Sequence, residues 1–348
     1  MDTIEETHES VQIYYGQVLH RSGDLKTNAC CSTETMPEHL RKLVQEIEPE
    51  VLERFYGCGA PIPTALEGCT VLDLGSGTGR DVFLASRLVG PTGHVIGVDM
   101  TDEQLNVARE CLPKQMARYG YDDPNVTFHK GYIEDLAALG IQNDSVDVVI
   151  SDCVINLSSH KKQVFKEVFR VLKLGGELYF SDVVSERRLP EHLMNDPVLL
   201  GECLAGAMSH EDFRLLMEQL GCSDVRKTST SPITISNADI EANTGMAKFF
   251  STTYRVFKFE NLEYRCEDYG QVAYYRGTLP DYPHDFQLDD HHAFEKDKPI
   301  LVCGNTATML QDTRFRHHFR IEGDRKTHFG LFNCDDSSAL DGESVPCC

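Results

Sequence analysis

The 348-residue sequence has no excess of positive charge: 33 Lys and Arg stand against 55 Asp and Glu, a formal net charge of −22. Such a chain offers no global field for a phosphate backbone, which weighs against DNA or RNA as substrate and predicts no nucleic-acid partner. No apolar run approaches the length of a membrane span, and the start, MDTIEETHES, has no basic region followed by an apolar one. The expectation is a soluble, cytoplasmic protein with no membrane partner. No internal repeat is evident. Cysteine is plentiful at 13 residues, yet no two stand in the C-x-x-C spacing of a zinc knuckle. An odd count without a secretory signal predicts thiols kept reduced rather than a disulfide framework. Cys69, Cys111 and Cys222 lie in apolar patterns and read as core.

What is present centres on Thr70 to Asp99, TVLDLGSGTGRDVFLASRLVGPTGHVIGVD. A short apolar run meets a glycine-rich turn (Gly75, Gly77, Gly79), a helical stretch follows, and a second apolar run ends in Asp99. The pattern predicts the opening βαβ unit of a nucleotide-binding sheet. The glycines allow a sharp turn and close approach to a ligand, and Asp99 stands where a carboxylate can take two ribose hydroxyls. A dinucleotide fingerprint needs a third glycine where this chain has Arg80. The string from Asp73 to Gly79 instead resembles motif I of the class I S-adenosylmethionine-dependent methyltransferases. That ligand has no pyrophosphate, but it has an ammonium that a carboxylate at Asp73 could help neutralise. A degenerate dinucleotide site, or a Rossmann fold without catalysis, is the alternative.

The remaining chain reads as an α/β doubly wound sheet with additions at both ends. Residues 1–60 form an N-terminal thiol-bearing segment: one short amphipathic turn at Val11 to Val18, a polar loop at Thr27 to Met36 with Cys30 and Cys31, and helical periodicity over Pro37 to Phe55. Residues 61–245 alternate apolar runs with helical ones, including Thr101 to Tyr119 with Thr101 as a candidate N-cap, Val146 to Ser151 as an apolar strand, Glu177 to Val183 as another, and helices over Leu193 to Ala207 and His210 to Leu220. Residues 246–333, beginning with the aromatic run Phe249 to Phe259, read as a small α+β appendage. Residues 334–348 are acidic and serine-rich and predict a disordered, cysteine-containing tail.

In doubly wound folds the ligand lies over the carboxyl ends of the strands, and here the fourth strand ends Ser151-Asp152-Cys153-Val154-Ile155-Asn156. The D/N/S-P-P-aromatic string of enzymes that methylate exocyclic amines is absent, and a cysteine stands there. A buried bystander thiol is the plain alternative. Taken with Lys26 to Cys30, Tyr56-Gly57-Cys58-Gly59, Asp73 to Asp81, Gly131-Tyr132-Ile133-Glu134, Gly176 to Val183 and Gly201-Glu202-Cys203-Leu204, the chain resembles the arsenite S-adenosylmethionine methyltransferases from about residue 26 to about 255. The resemblance implies a sheet of about seven strands, trivalent arsenic on Cys58, Cys153 and Cys203, a disulfide between Cys30 and Cys58 during turnover, and reset by thioredoxin or glutathione. Cys31 leaves open which of two neighbours pairs with Cys58.

Chemistry is consistent with that implication. Trivalent arsenic is thiophilic and its lone pair favours three thiolates in a pyramid, whereas zinc takes four ligands. The lone pair can act as nucleophile, so no general base is needed. Motif and resemblance agree on Gly75, Gly77, Asp99, Met100, Ile133, Glu134 and Val154 for S-adenosylmethionine; Asp73 and Gly79 join them from the motif, and Tyr56 is placed near the methionine end. Glu202 reads as solvating its helix rather than shaping the arsenic pocket. The pairs His291-His292 and His317-His318 read as solvated surface, Cys347-Cys348 as inert for catalysis, and Arg314 to Arg320 as too short a basic patch for nucleic acid. A C- or O-methyltransferase acting on a small organic acceptor, and a non-catalytic metalloid-binding thiol sensor, are the rival functions.

Overall fold

The protein is described by a computed structural model covering residues 4–19, 36–57, 59–235 and 237–333. Cys30, Cys31, Cys58, most of the loop at 27–36 and the tail at 334–348 lie outside the described residues.

Strand β1 (Thr70–Leu74) is buried on both faces and pairs in parallel with β2 (His94–Asp99) and β4 (Val146–Asp152), with Val71 opposite Val95 and Val148. Near-continuous apolar runs suit a parallel strand covered by helices on both sides. Strand β3 (Val126–Lys130) extends the sheet beyond β2, and β5 (Leu172–Ser185) lies beside β4. The two-residue β6 (Met208–Ser209) attaches to the end of β5. Along its path the sheet runs β3-β2-β1-β4-β5-β8-β7, where β7 is Arg226–Ile233 and β8 is Phe249–Phe257.

Strand β8 differs from the sequence reading. Phe249 to Phe257 was expected to open the appendage; it is antiparallel to β5 and β7 and fills the gap between them, pairing from Phe257 opposite Glu177 to Phe249 opposite Ser185. Its last six residues are all buried, so it is an interior strand of the large sheet.

Three helical readings are also corrected. Helical periodicity over Pro37 to Phe55 resolves into α2 (Glu38–Val44) and α3 (Pro49–Glu53), because Pro49 cannot continue a helix but suits the first turn of a new one. The expected helix over Leu193 to Ala207 is a single 3₁₀ turn followed by the short α7 (Pro197–Gly201), whose start is capped by Asp196 accepting from the Val198 and Leu199 amides. At the N-terminus the expected short turn is a longer element, α1 (Ile4–Ile13), continued by a π-helical turn over Tyr14–Val18. Helices α4 (Arg80–Val89) and α5 (Asp102–Tyr119) pack beside the first strands; Thr101 occupies the N-cap position of α5, though its side chain does not cap.

Beyond β8 a three-stranded antiparallel sheet has Gln271–Tyr275 at its centre between Pro299–Val302 and Phe319–Glu322. Two buried polar clusters join it to the large sheet. Arg226 of β7 pairs with Asp224 and with Asp289 at 2.7 Å. His292 of the expected surface pair is buried there, its Nδ1 2.7 Å from Asp289 Oδ1. Arg255 of β8 pairs with Glu177, which also receives Arg314. Burial pushes the Asp289 carboxyl up, but Arg226 and His292 outweigh it and hold it well below the usual carboxylate range.

Replacing Arg226 with Met leaves Asp224 and Asp289 as uncompensated buried carboxylates. It is expected to lower unfolding free energy by roughly 3–5 kcal/mol at neutral pH, read from denaturant melts. A carboxylate with a depressed pKa stabilises above its unfolded value and loses that contribution as pH falls, so the gap to wild type narrows below about pH 4.

Candidate functional site

The turn between β1 and α4 is built on left-handed backbone at Gly75 (φ +72°), Gly77 (φ +52°) and Gly79 (φ +92°), a region costly for residues with a Cβ. A Cβ on Gly75 would stand 2.3 Å from Val154, whereas one on Gly77 would meet nothing within 4 Å. Gly77 therefore faces open space. Its amide donates to Asp99 Oδ2 at 2.8 Å, and the Thr101 amide donates to Oδ1 at 2.8 Å. The end of β2 thus presents the carboxylate to the same opening. Burial raises the Asp99 carboxyl, and these amide bonds act against it.

Above the turn is a cleft of about 970 Å³, open solvent included, walled by Asp73, Gly75, Gly77, Asp99, Met100, Ile133, Glu134, Cys153, Val154 and Tyr56. Gly79 is not on this wall: it starts α4 and backs on Phe128. The sequence reading missed the Ser76 hydroxyl and the Gln104 carboxamide oxygen, which line the cleft and are buried with no hydrogen-bond partner among the described residues. It also missed the N-terminal cover. His8 stacks on Tyr132 with ring centroids 4.2 Å apart, Gln12 donates to the Met100 carbonyl at 3.0 Å, and Gln104 donates to the Tyr15 carbonyl. The residues before position 20 carry no motif, so only their contacts reveal the role.

At one end of the cleft three carboxylates, Asp73, Asp81 and Asp152, surround one cation. Arg80 pairs with Asp81 at 2.8 Å and Asp152 at 3.2 Å, donates to the Gly59 carbonyl, and lies 3.2 Å from the Phe55 ring centroid. Burial, then the neighbouring Asp81 and Asp152, push the Asp73 carboxyl well above its usual range. This excess of buried negative charge fits a cationic ligand end. With Asp99 for a ribose and unpartnered polar atoms at Ser76 and Gln104, the residues fit S-adenosylmethionine.

Cys153, beside that cluster, has φ +56°, and Cys203, just past α7, has φ +62°. They are two of six non-glycine residues with left-handed backbone among the described residues. Such a conformation costs about 1–3 kcal/mol each and persists where the surroundings impose it. The Cys153 amide donates to the Ser181 carbonyl at 2.9 Å, and the Cys203 thiol donates to the Cys153 carbonyl at 2.8 Å. Asn156 donates to the Val183 carbonyl at 2.7 Å and reaches the Cys203 carbonyl at 3.4 Å, tying β4, β5 and α7 together. Glu202 was read as solvating its helix; it is buried and accepts from Tyr14 at 3.0 Å, while Tyr15 donates to the Gly201 carbonyl at 2.7 Å.

Asp182 of β5, a polar residue inside an apolar strand, completes this pocket and was not singled out in the sequence. Its carboxylate oxygen and the two cysteine sulfurs lie within 4.8 Å of one another. Burial pushes its carboxyl up to about 7, and burial pulls the nearby Lys161 ammonium down to about 8. Cys153 is disulfide-bonded, as is Cys266. The expectation of thiols kept reduced rather than a disulfide framework does not hold for these two, whereas Cys203 and Cys303 are free thiols. Cys69, Cys111 and Cys222 are buried thiols, and burial pushes Cys222 up to about 12.

Residues 65–221 match the methyltransferase domain family and residues 268–341 the arsenite methyltransferase C-terminal domain family. The chain is 52% identical to the arsenite methyltransferase of Aquipseudomonas alcaligenes over 93% of each chain, and 43% identical to that of Homo sapiens over 91% of this chain and 84% of the relative. A crystal structure of an arsenic(III) S-adenosylmethionine methyltransferase from Chlamydomonas reinhardtii aligns with a TM-score of 0.82 at 47% identity, covering 85% of this chain and 99% of that one. Demethylmenaquinone methyltransferase of Lactococcus lactis, at 35% identity, matches 32% of this chain. With an S-adenosylmethionine cleft opening onto a cysteine pocket, and with likeness extending through the C-terminal sheet, the chain belongs to the arsenite methyltransferase family.

Proposed function

We propose that the protein transfers the methyl group of S-adenosylmethionine to trivalent arsenic held by the thiolates of Cys58, Cys153 and Cys203, giving methylated arsenicals in the cytoplasm. The observation that carries this reading is the meeting of Cys153 and Cys203, both on left-handed backbone, beside the cofactor cleft. Neither conformation is favoured by its own residue, and both aim a soft donor at one point. Gly57 and Gly59, which flank Cys58 in sequence, support its inclusion: a Cβ on Gly57 would stand 2.1 Å from Asp152, and the Gly59 amide donates to Asp152 at 3.3 Å.

When bound, S-adenosylmethionine supplies an electrophilic methyl on a sulfonium. Asp99 holds its ribose, Gly75, Gly77, Ile133, Glu134 and Val154 its nucleoside, and Asp73 with Asp152 its cationic end; Tyr56 and Met100 close the wall. The three thiolates fix the arsenic and leave its lone pair free as the nucleophile for in-line transfer. Forming the arsenic–carbon bond and breaking the sulfur–carbon bond leaves the arsenic pentavalent. Two thiols then return two electrons and become a disulfide, assigned here to Cys30 and Cys58, while Cys153 and Cys203 retain the product. Thioredoxin or glutathione reopens the disulfide by thiol exchange. The oxidised state of Cys153 adds a requirement: the same reductants must open that bond before Cys153 can bind arsenic.

No helix among the described residues is long and apolar enough to cross a membrane. That is compatible with a reaction between two small molecules in a reducing compartment.

Purified protein incubated with arsenite, S-adenosylmethionine, glutathione and a thioredoxin system is expected to yield methylated arsenic, separated by chromatography with elemental detection. Cys203→Ser is expected to lose methylation by two orders of magnitude or more, about 3 kcal/mol of transition-state stabilisation, while cofactor binding by calorimetry stays intact. Methylation that survives in this variant would move the assignment to a small organic acceptor; arsenite binding without methyl transfer in wild type would leave a sensor. Asp99→Asn is expected to act on the other substrate, raising the S-adenosylmethionine Kd by about 10- to 100-fold, the worth of a hydrogen bond to a charged group, with arsenite affinity measured in parallel as the control.

A further inference from the structure

We propose that the reduced protein binds a thiophilic divalent cation, represented by Zn²⁺, on Cys153, Cys203 and Asp182, at a site that shares two thiolates with arsenic and therefore cannot be filled together with it. Sequence spacing gave reason to discount zinc, because only cysteines were in view. The structure adds a carboxylate. One donor atom from each of the three buried residues lies within 4.8 Å of the other two, and a tetrahedral zinc with sulfur at about 2.3 Å and oxygen at about 2.0 Å needs donors roughly 3.5 Å apart. The contraction is small enough for side-chain adjustment.

The donor set discriminates among ions. Trivalent arsenic is satisfied by sulfur, and a carboxylate adds little to it. Magnesium and calcium take oxygen and reject thiolate. Two thiolates with one carboxylate suit a borderline ion that accepts both. The carboxylate is oriented in advance, since the Asn156 amide donates to Asp182 Oδ2 at 3.0 Å and the Val183 amide to Oδ1 at 2.8 Å. The Ile155 amide also hydrogen-bonds this carboxylate, and the one lone pair that remains is held in place for a metal, the arrangement by which outer hydrogen bonds fix metal ligands. Charge also closes: two thiolates and a carboxylate carry three negative charges, a divalent ion leaves one, and the buried Lys161 ammonium, which interacts with Asp182 and Cys203, offsets it.

Cys153 must first be reduced. A trialkylphosphine does this in balance: the disulfide gains two electrons, water supplies two protons and the oxygen, and the phosphine becomes its oxide. Zinc binding then releases the thiol protons to buffer.

The test uses phosphine-reduced full-length protein, titrated with Zn²⁺ and with Co²⁺ as spectroscopic probe. One tight equivalent is expected, with thiolate-to-cobalt charge-transfer and tetrahedral ligand-field bands, lost in Cys203→Ser and weakened on the order of 100-fold in Asp182→Asn. Retained S-adenosylmethionine affinity shows that each variant is folded. X-ray absorption of the zinc-loaded wild type, which needs no variant, is expected to show a mixed shell of sulfur and oxygen. A sulfur-only shell, a zinc affinity unchanged in either folded variant, or no tight zinc in reduced wild type would overturn the proposal. Arsenite binding is measured on separate zinc-free protein, so failure of the arsenic reading is seen independently of the zinc result.

Discussion

Arg80 is the hub on which both halves of the site depend. Its guanidinium takes Asp81 at the start of α4, Asp152 at the end of β4 and the carbonyl of Gly59, and it faces the Phe55 ring. One buried cation thereby joins Phe55 and Gly59 to the start of α4 and the end of β4, beside the cofactor cleft. It pairs with two of the three clustered carboxylates, and its single positive charge leaves the cluster with an excess of buried negative charge. A buried charge of this kind holds only if its partners stay in place, so Phe55, Gly59, the start of α4 and the end of β4 are held together by one group.

The polar clusters at Arg226 and Arg255 do comparable work for the C-terminal sheet. Both arginines lie on strands of the large sheet, and their partners Asp289 and the Leu288 carbonyl come from beyond it. Arg314 returns the connection by pairing with Glu177 of β5. The small sheet is therefore seated by directional, desolvated bonds in addition to its apolar core of Phe286, Phe294, Phe315 and Phe319.

The cofactor half was largely legible in the sequence because its signal is local. Three glycines with positive φ and a carboxylate twenty residues on are consequences of one turn, and that turn is written in consecutive residues. Cys153 was legible for a similar reason, standing at the end of an apolar strand. Gly79 showed the limit of motif reading: it has the same backbone need as Gly75 and Gly77 but serves the helix and not the cleft wall. The roles of Asp182, Asn156 and Tyr14 were not legible, since each bonds a partner more than twenty residues away. Phe249 to Phe257 was assigned to the wrong sheet because an aromatic, β-branched run identifies a strand without naming its neighbours.

The N-terminal helix touches both substrates' compartments. Its His8 and Gln12 lie along the cofactor cleft, while Tyr14 and Tyr15, one turn on, hold Glu202 and Gly201 immediately before Cys203. The hydroxyls of Tyr14 and Tyr15 are thus tied to the same helix that lies against the cleft. One short element thereby braces the cleft wall at Met100 and the backbone leading into Cys203, so any change in its seating is transmitted to both ends of the site at once.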